Sequence, residues 1–228
     1  MVELATATRI AKQLVSMLED YCERIEIGGS IRRGKPQVKD IEIVMIPKLL
    51  PVKAGGQLDM FKGQQTTMVN QLDERLDGWL QRGMFKQRLD TRGRPAWGPS
   101  YKRASYWGVA VDLFSVLPPA QWGLIYMIRT GSGVGPDGKP MNGFGPAMLA
   151  RWKQASAGGF SKDGCLRLPD GRKVLTPEEE DVFVVGRATS VEGLVGWNGQ
   201  RQMGQRDDAP RPIEVQRLDF HGFGRKRR

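Results

Sequence analysis

Three acidic side chains in two apolar stretches are the residues of this sequence best suited to chemistry. Asp40 and Glu42 lie in the run KDIEIVMI, Lys39 to Ile46, and Asp112 lies in GVAVDLFSVL, Gly108 to Leu117. On an extended strand residues i and i+2 share a face, so Asp40 and Glu42 project to one side. Two ionised carboxylates there repel each other, and a bound divalent cation resolves the conflict. An arbitrary Asp-x-Glu pair more often marks the wetted side of an edge strand, but Ile and Val on both faces argue for a central one. Asp112, isolated in an apolar strand, needs a cation or several hydrogen bonds. Viewed alone, it reads most simply as a paired core aspartate. If the two strands are neighbours, three carboxylates converge. Oxygen donors without His or Cys suit Mg²⁺ or Mn²⁺ rather than zinc.

A second group lies just upstream, in Gly28-Gly29-Ser30-Ile31-Arg32-Arg33-Gly34. Glycines after a strand let the backbone approach a ligand closely, Ser30 adds a hydroxyl, and Arg33 adds a forked cation matched to phosphate oxygens. The net charge of +10 favours a polyanionic partner. It is concentrated between Lys86 and Arg103, where Lys86, Arg88, Arg92, Arg94, Lys102 and Arg103 face Asp90 alone. Trp97, Tyr101, Tyr106 and Trp107 lie among or close to them. Cations for phosphates beside rings for bases suit a nucleic-acid surface, and a solvated charged loop is the plainer alternative. Cys22 and Cys165 carry no metal-ligand spacing and read as reduced thiols in a cytosol-like compartment. No apolar run is long enough to span a bilayer, and the first residues lack a secretory layout, so no membrane partner is expected.

The elements that must position these groups follow from periodicity. Ala5 to Asp20 reads as a helix, with Ile10, Leu14, Met17 and Leu18 on one side. Arg24 to Ile27 and Lys39 to Ile46 read as strands, Lys48 to Gly63 as a loop, and Gln65 to Gln81 as a helix with a stripe of Met68, Leu72, Leu76, Trp79 and Leu80. Met84 to Leu89, Tyr101 to Tyr106 and Gly108 to Leu117 are further strands, and Ala120 to Arg129 a helix. Thr130 to Gly145 is glycine-rich loop, and Pro146 to Ala155 a helix. Phe160 to Val174 reads as a hairpin turning at Pro169-Asp170-Gly171. Thr176 and Pro177 open a helix with Thr176 as its cap. Beyond Val195 the chain is polar, Gly/Arg-rich and tail-like.

The run GGSIRRGKPQVKDIEIV resembles the nucleotidyltransferase signature of family X DNA polymerases: Gly-Ser-x-x-Arg-Gly, a spacer, then paired acids on a strand. Ser30 and Asp40 stand ten residues apart, as in that family. GVAVDLF resembles its later acidic strand, and Thr130-Gly131-Ser132 its nucleotide-pocket turn. TPEEEDVF resembles the start of a helix in its C-terminal thumb. The resemblance implies an α+β fold: a nucleotidyltransferase palm, a mixed β-sheet with helices on one side, over 1–118. A small α/β thumb over 119–195 and a basic tail over 196–228 complete it. It implies that Asp40, Glu42 and Asp112 hold two Mg²⁺ ions (Mn²⁺ in their place) for transfer of nucleotides to a 3′-hydroxyl. Gly29, Ser30, Arg33, Thr130, Gly131 and Ser132 are then the contacts to a nucleoside triphosphate. The partner it implies is a DNA primer–template, in gap filling or repair, and the expected location is cytoplasmic or nucleoid-associated, not secreted, in a protein similar to compact, virally encoded members. Glu42 stands where the second acid is more usually Asp, and Ile128-Arg129 where aromatic residues are common. Little chain precedes Gly28, so the resemblance is to compact, palm-plus-thumb members. A template-independent transferase acting on RNA or another acceptor, and a non-catalytic nucleic-acid-binding module, are the alternatives.

Overall fold

A computed structural model describes residues 1–53, 66–90, 92–130, 159–160, 163–168, 170–182 and 215–216. In chain order the first half forms β1 (Val2–Glu3), α1 (Leu4–Leu18), a 3₁₀ turn (Glu19–Tyr21), β2 (Cys22–Ile27), the one-turn helix α2 (Gly29–Arg32), β3 (Gln37–Val38) and β4 (Asp40–Pro47). It continues with β5 (Leu49–Lys53), β6 (Thr66–Asn70), α3 (Gln71–Gln81), β7 (Lys86–Gln87), β8 (Tyr101–Tyr106) and β9 (Val109–Ser115). The fold is mixed α+β. Five strands pair in the order β2-β4-β9-β8-β7. Only β4 and β9 run parallel; the other neighbours are antiparallel.

One face of this sheet is oily, and the other combines the acids with the buried apolar residues Val44 and Phe114. Ile41, Ile43 and Met45 of β4, Val111 and Leu113 of β9, and Ala104 and Tyr106 of β8 alternate inward. They share a core with Ala7, Ile10, Ala11, Leu14 and Leu18 of α1 and with Leu72, Leu76 and Trp79 of α3. The spacing of those helical residues makes one apolar stripe per helix, and each fully buried Leu or Ile contributes about 1.5–3 kcal/mol. Phe85 closes this layer edge-to-face between Trp79 and Tyr106. The intervening strand residues, Asp40, Glu42 and Asp112 among them, project to the opposite face.

Two expectations fail between the β4 strand and α3. Part of the stretch read as loop is a strand, β5, paired antiparallel with β6. The helix begins at Gln71, not Gln65, because Thr66, Thr67 and Val69 are β-branched and Asn70 accepts a hydrogen bond from the Asp73 N–H at 3.3 Å, as an N-cap does. Met68, placed on the helical stripe by periodicity, is 55% exposed on β6.

The chain divides into two compact units near Leu117, with Arg129 returning to the first. α4 (Trp122–Thr130) lies in the second unit up to Ile128, and β10 (Gly159–Phe160), β11 (Leu166–Arg167), β12 (Lys173–Val174) and β13 (Val215–Gln216) form an antiparallel sheet there in that order. The β11–β12 hairpin turns where expected, with Gly171 at φ 84°. Gly123 allows α4 to meet the backbone of Thr176 and Glu178, where a Cβ would lie 2.0 Å from the Glu178 carbonyl oxygen. Thr176 is not the cap that its sequence context suggests: helical residues start at Glu179, the Glu178 N–H donates to Asp181 Oδ2 at 2.8 Å, and the buried Thr176 hydroxyl has no hydrogen-bond partner. The loop expected over 130–145 lies outside the described residues from Gly131 on, as do the whole of the helix expected over 146–155 and, apart from β13, the tail. Among the described residues no helix is long and apolar enough to cross a membrane.

Candidate active site

Parallel pairing of β4 with β9 sets Asp40 beside Ala110 and Glu42 beside Asp112. Registered partners in neighbouring strands project to one side, so all three carboxylates share the face opposite the oily one. Asp112 is 7% exposed, and both its oxygens are engaged from β8. The Tyr101 hydroxyl donates to Oδ2 at 3.0 Å and Arg103 Nε donates to Oδ1 at 3.1 Å, with Arg88 Nη1 3.8 Å from Oδ1. The Tyr101 ring stacks on Phe114 at 4.9 Å, and the Arg129 guanidinium stands 5.5 Å over the other ring of that pair, Phe114. Burial, followed by the Asp112 charge, pushes the Tyr101 hydroxyl up to about 12, so it remains a donor.

Glu42 is the perturbed acid. Burial first, then Asp40, and more weakly Asp112, raise its carboxyl from 4.5 to about 7, against the opposing pull of Arg33 and of the Ser30 backbone N–H. The turn from β2 into α2 is shaped around it. Gly28 N–H donates to the Glu42 carbonyl at 2.8 Å, and Gly29 adopts φ +60° with its missing Cβ only 1.4 Å from Glu42 Oε2. A side chain cannot occupy that point. Ser30 is 8% exposed, and its hydroxyl has no hydrogen-bond partner beside these acids.

Among the described residues no three His, Cys, Asp or Glu side chains are already gathered closely enough to hold a metal ion. The donor chemistry nevertheless fits one. The acids offer carboxylate oxygens, burial and then the neighbouring Asp40 raise the Glu42 carboxyl in a way that a bound cation would relieve, and each Asp112 oxygen keeps a further lone pair beyond the bond from β8.

The raised Glu42 carboxyl predicts a pH-dependent stability. The folded form holds its proton more tightly than the unfolded one. The associated stability is therefore complete below about 4.5 and is lost as pH rises through about 7. Without divalent ions, urea unfolding at pH 5 and pH 8 is expected to differ by on the order of 3 kcal/mol more in the native chain than in Glu42→Gln. Identical pH profiles for the two proteins would remove the claim that Glu42 is strained.

The six cations expected to form one nucleic-acid surface are divided by the sheet. Lys86, Arg92 and Arg94 are exposed, with Arg94 bonded to Asp90. Arg88 and Arg103 face Asp112 instead. Lys102 is not at the surface: it is 4% exposed on the oily face, its Nζ donating to Asp73 Oδ1 at 2.7 Å and to the Gly98 carbonyl at 2.9 Å. Adjacent strand residues point to opposite faces, so a run of cations cannot be one patch. Trp97, whose Nε1 donates to Asp77 at 2.7 Å, is likewise structural. Lys102→Ala is expected to destabilise the fold by about 2–4 kcal/mol in urea melts, since it leaves Asp73 without its cation. A loss of DNA affinity without loss of stability would return Lys102 to the surface role.

The clamp on Asp112 was missed as a clamp, although its signal is present. Trp107-Gly108 makes a two-residue turn between β8 and β9, so Tyr106 pairs with Val109 and, by counting back, Arg103 with Asp112. Of the expected nucleotide contacts, Gly29, Ser30 and Arg33 lie at the acids. Thr130 is the last residue of α4, and its side chain, with Gly131 and Ser132, lies outside the described residues. Comparison with known proteins finds no matching family and no matching curated protein.

Proposed function

We propose that the chain is a divalent-metal-dependent nucleotidyltransferase of the family X DNA polymerase type. It would transfer nucleotides from a nucleoside triphosphate to a nucleic-acid 3′-hydroxyl and release pyrophosphate. In this reading the first unit is the palm and the second the thumb. The observation that carries it is the register: Glu42 stands beside Asp112, with Asp40 on the same face, next to a glycine-lined turn holding an unsatisfied serine hydroxyl.

Asp40 and Glu42 would hold two ions between them, with Asp112 completing the site of one. Bound Mg²⁺ or Mn²⁺ would supply the charge neutralisation that phosphoryl transfer requires. The Ser30 hydroxyl and the Arg33 guanidinium are donors for phosphate oxygens. Asp112, held in place by Tyr101 and Arg103, would accept the proton of the attacking hydroxyl as the new P–O bond forms and the bond to pyrophosphate breaks. The exposed cations Lys86 and Arg92 and the net charge of +10 support a polyanionic partner.

Primer extension with each nucleotide separately, on gapped, nicked and single-stranded DNA, tests the reading. Incorporation of the template-matched nucleotide, abolished by EDTA, is expected. No incorporation on any acceptor with Mg²⁺ or Mn²⁺ would defeat it, and extension that ignores the template base would make the chain a template-independent transferase.

A further inference from the structure

Arg88 is held close to Asp112 without being bonded to it. Its backbone is fixed on both sides: the Arg88 N–H donates to the Arg103 carbonyl at 3.0 Å, and its own carbonyl accepts from the Ala96 N–H at 3.4 Å. The pairing of Lys86 with Ser105 continues to this residue, so Arg88 projects to the face shared by Arg103 and the acids. Yet Nη1 stops 3.8 Å from Asp112 Oδ1, and that buried nitrogen finds no hydrogen-bond partner among the described residues. A buried donor left unpaired costs about 1–3 kcal/mol, and more when it is charged. Asp112 has no need of this second cation, because Arg103 Nε and the Tyr101 hydroxyl already take one oxygen each. The Arg88 side chain is 33% exposed, so a ligand can reach it from solvent.

The order of the strands says which ligand this is. The turn carrying Gly29, Ser30 and Arg33 follows β2 and closes on Glu42 of β4, at one side of the acids. Arg88 extends β7 and reaches Asp112 of β9 from beyond β8, at the other side. The first side is the place proposed for the triphosphate, so an anion at the second belongs to the other reactant. With the attacking hydroxyl at Asp112, the nearest anion of an acceptor strand is the phosphodiester one nucleotide back from its 3′ end. A forked guanidinium with a spare donor matches the oxygens of such a group.

We infer that Arg88 binds the last phosphodiester of the acceptor strand and so places its 3′-hydroxyl at Asp112. The inference rests on the function proposed above and adds to it the class of acceptor: an oligonucleotide gripped by its backbone, not a free nucleoside. A phosphate contact fixes position and carries no base information, so this site is indifferent to the terminal base.

The test is a double-mutant cycle between protein and primer, run on the full chain with Mg²⁺ or Mn²⁺ and paired with thermal melts. One primer is ordinary DNA; the other carries a single uncharged methylphosphonate at its 3′-terminal linkage. In the native chain the methylphosphonate is expected to lower kcat/KM roughly tenfold, chiefly through the KM for primer. Arg88→Ala should lose about as much on the ordinary primer and little more on the modified one, because the two changes remove the same contact. Arg88→Lys, which keeps the charge, should recover part of the loss. Lys86→Ala removes a charge from the same face two residues away and should leave the methylphosphonate penalty intact. Penalties that simply multiply in Arg88→Ala overturn the inference and make Arg88 a counter-ion of Asp112. So does a penalty that vanishes equally in Lys86→Ala, which is a field effect rather than a contact. If the native chain extends both primers equally well, only the role of Arg88 falls; if it extends neither, the nucleotidyltransferase reading falls with it.

Discussion

Asp112→Asn is expected to lower divalent-metal-dependent nucleotide incorporation by at least ~10³-fold while the protein melts close to the native temperature. The asparagine side chain keeps an oxygen for the Tyr101 hydroxyl or for Arg103 Nε, so the packing between β8 and β9 survives. What it would lose is the negative charge that, in the proposed reaction, helps hold a divalent ion and takes up the proton of the attacking hydroxyl, a loss worth several kcal/mol. Asp112→Ala should be equally inactive and also less stable, because Arg103 and Tyr101 lose their partner together. The competing account makes Asp112 only the counter-ion of Arg103. It predicts that Arg103→Ala and Asp112→Ala destabilise alike, that the double variant adds nothing, and that activity follows folded fraction throughout. Near-native incorporation by Asp112→Asn in single-turnover assays would decide for that account.

Gly29→Ala is expected to reduce incorporation by about 10²-fold or more, a larger effect than its loss of stability implies. Two costs coincide at this residue. The left-handed backbone, φ +60°, disfavours any Cβ by about 1–2 kcal/mol, and the Cβ would lie where Glu42 Oε2 now sits. Glu42 must swing away, and if it holds a metal ion as proposed, a displacement of about 1 Å is enough for a loss of that size. Gly34 separates the two effects. It has φ +64° with nothing within 4 Å of a built Cβ. Gly34→Ala should therefore carry the same backbone strain and a similar drop in melting temperature, with activity preserved. Equal activity losses in the two variants would mean that the turn, rather than the contact with Glu42, is what matters.

Much of the sheet could be read from residue order alone. Tyr101–Tyr106 forms as a strand over the expected span, and Asp40 and Glu42 share a face because period-two geometry leaves no alternative. The neighbourhood of Glu42 and Asp112 could not be read so directly, since their strands are far apart in sequence and pair in parallel. Periodicity misled at Met68, which happens to fall in step with the stripe of α3 while the β-branched residues and Asn70 around it obey a strand and a cap. Charge composition misled at Lys102 for a different reason. Counting cations along a strand ignores that Lys102 and Arg103, adjacent in sequence, project to opposite faces, one toward Asp73 and the other toward Asp112.

The pairing of β4 with β9 has a consequence for how an assay of this protein should scale. A slip of one position between them would exchange Asp112 for Leu113, driving a carboxylate into the apolar core and leaving Tyr101 and Arg103 with a leucine in place of their acceptor. Oil on the far side thus polices alignment on the near side, and a misaligned molecule is an unfolded one. Folded copies should then form a uniform population, so that titration of reactive sites returns the same number as titration of native protein.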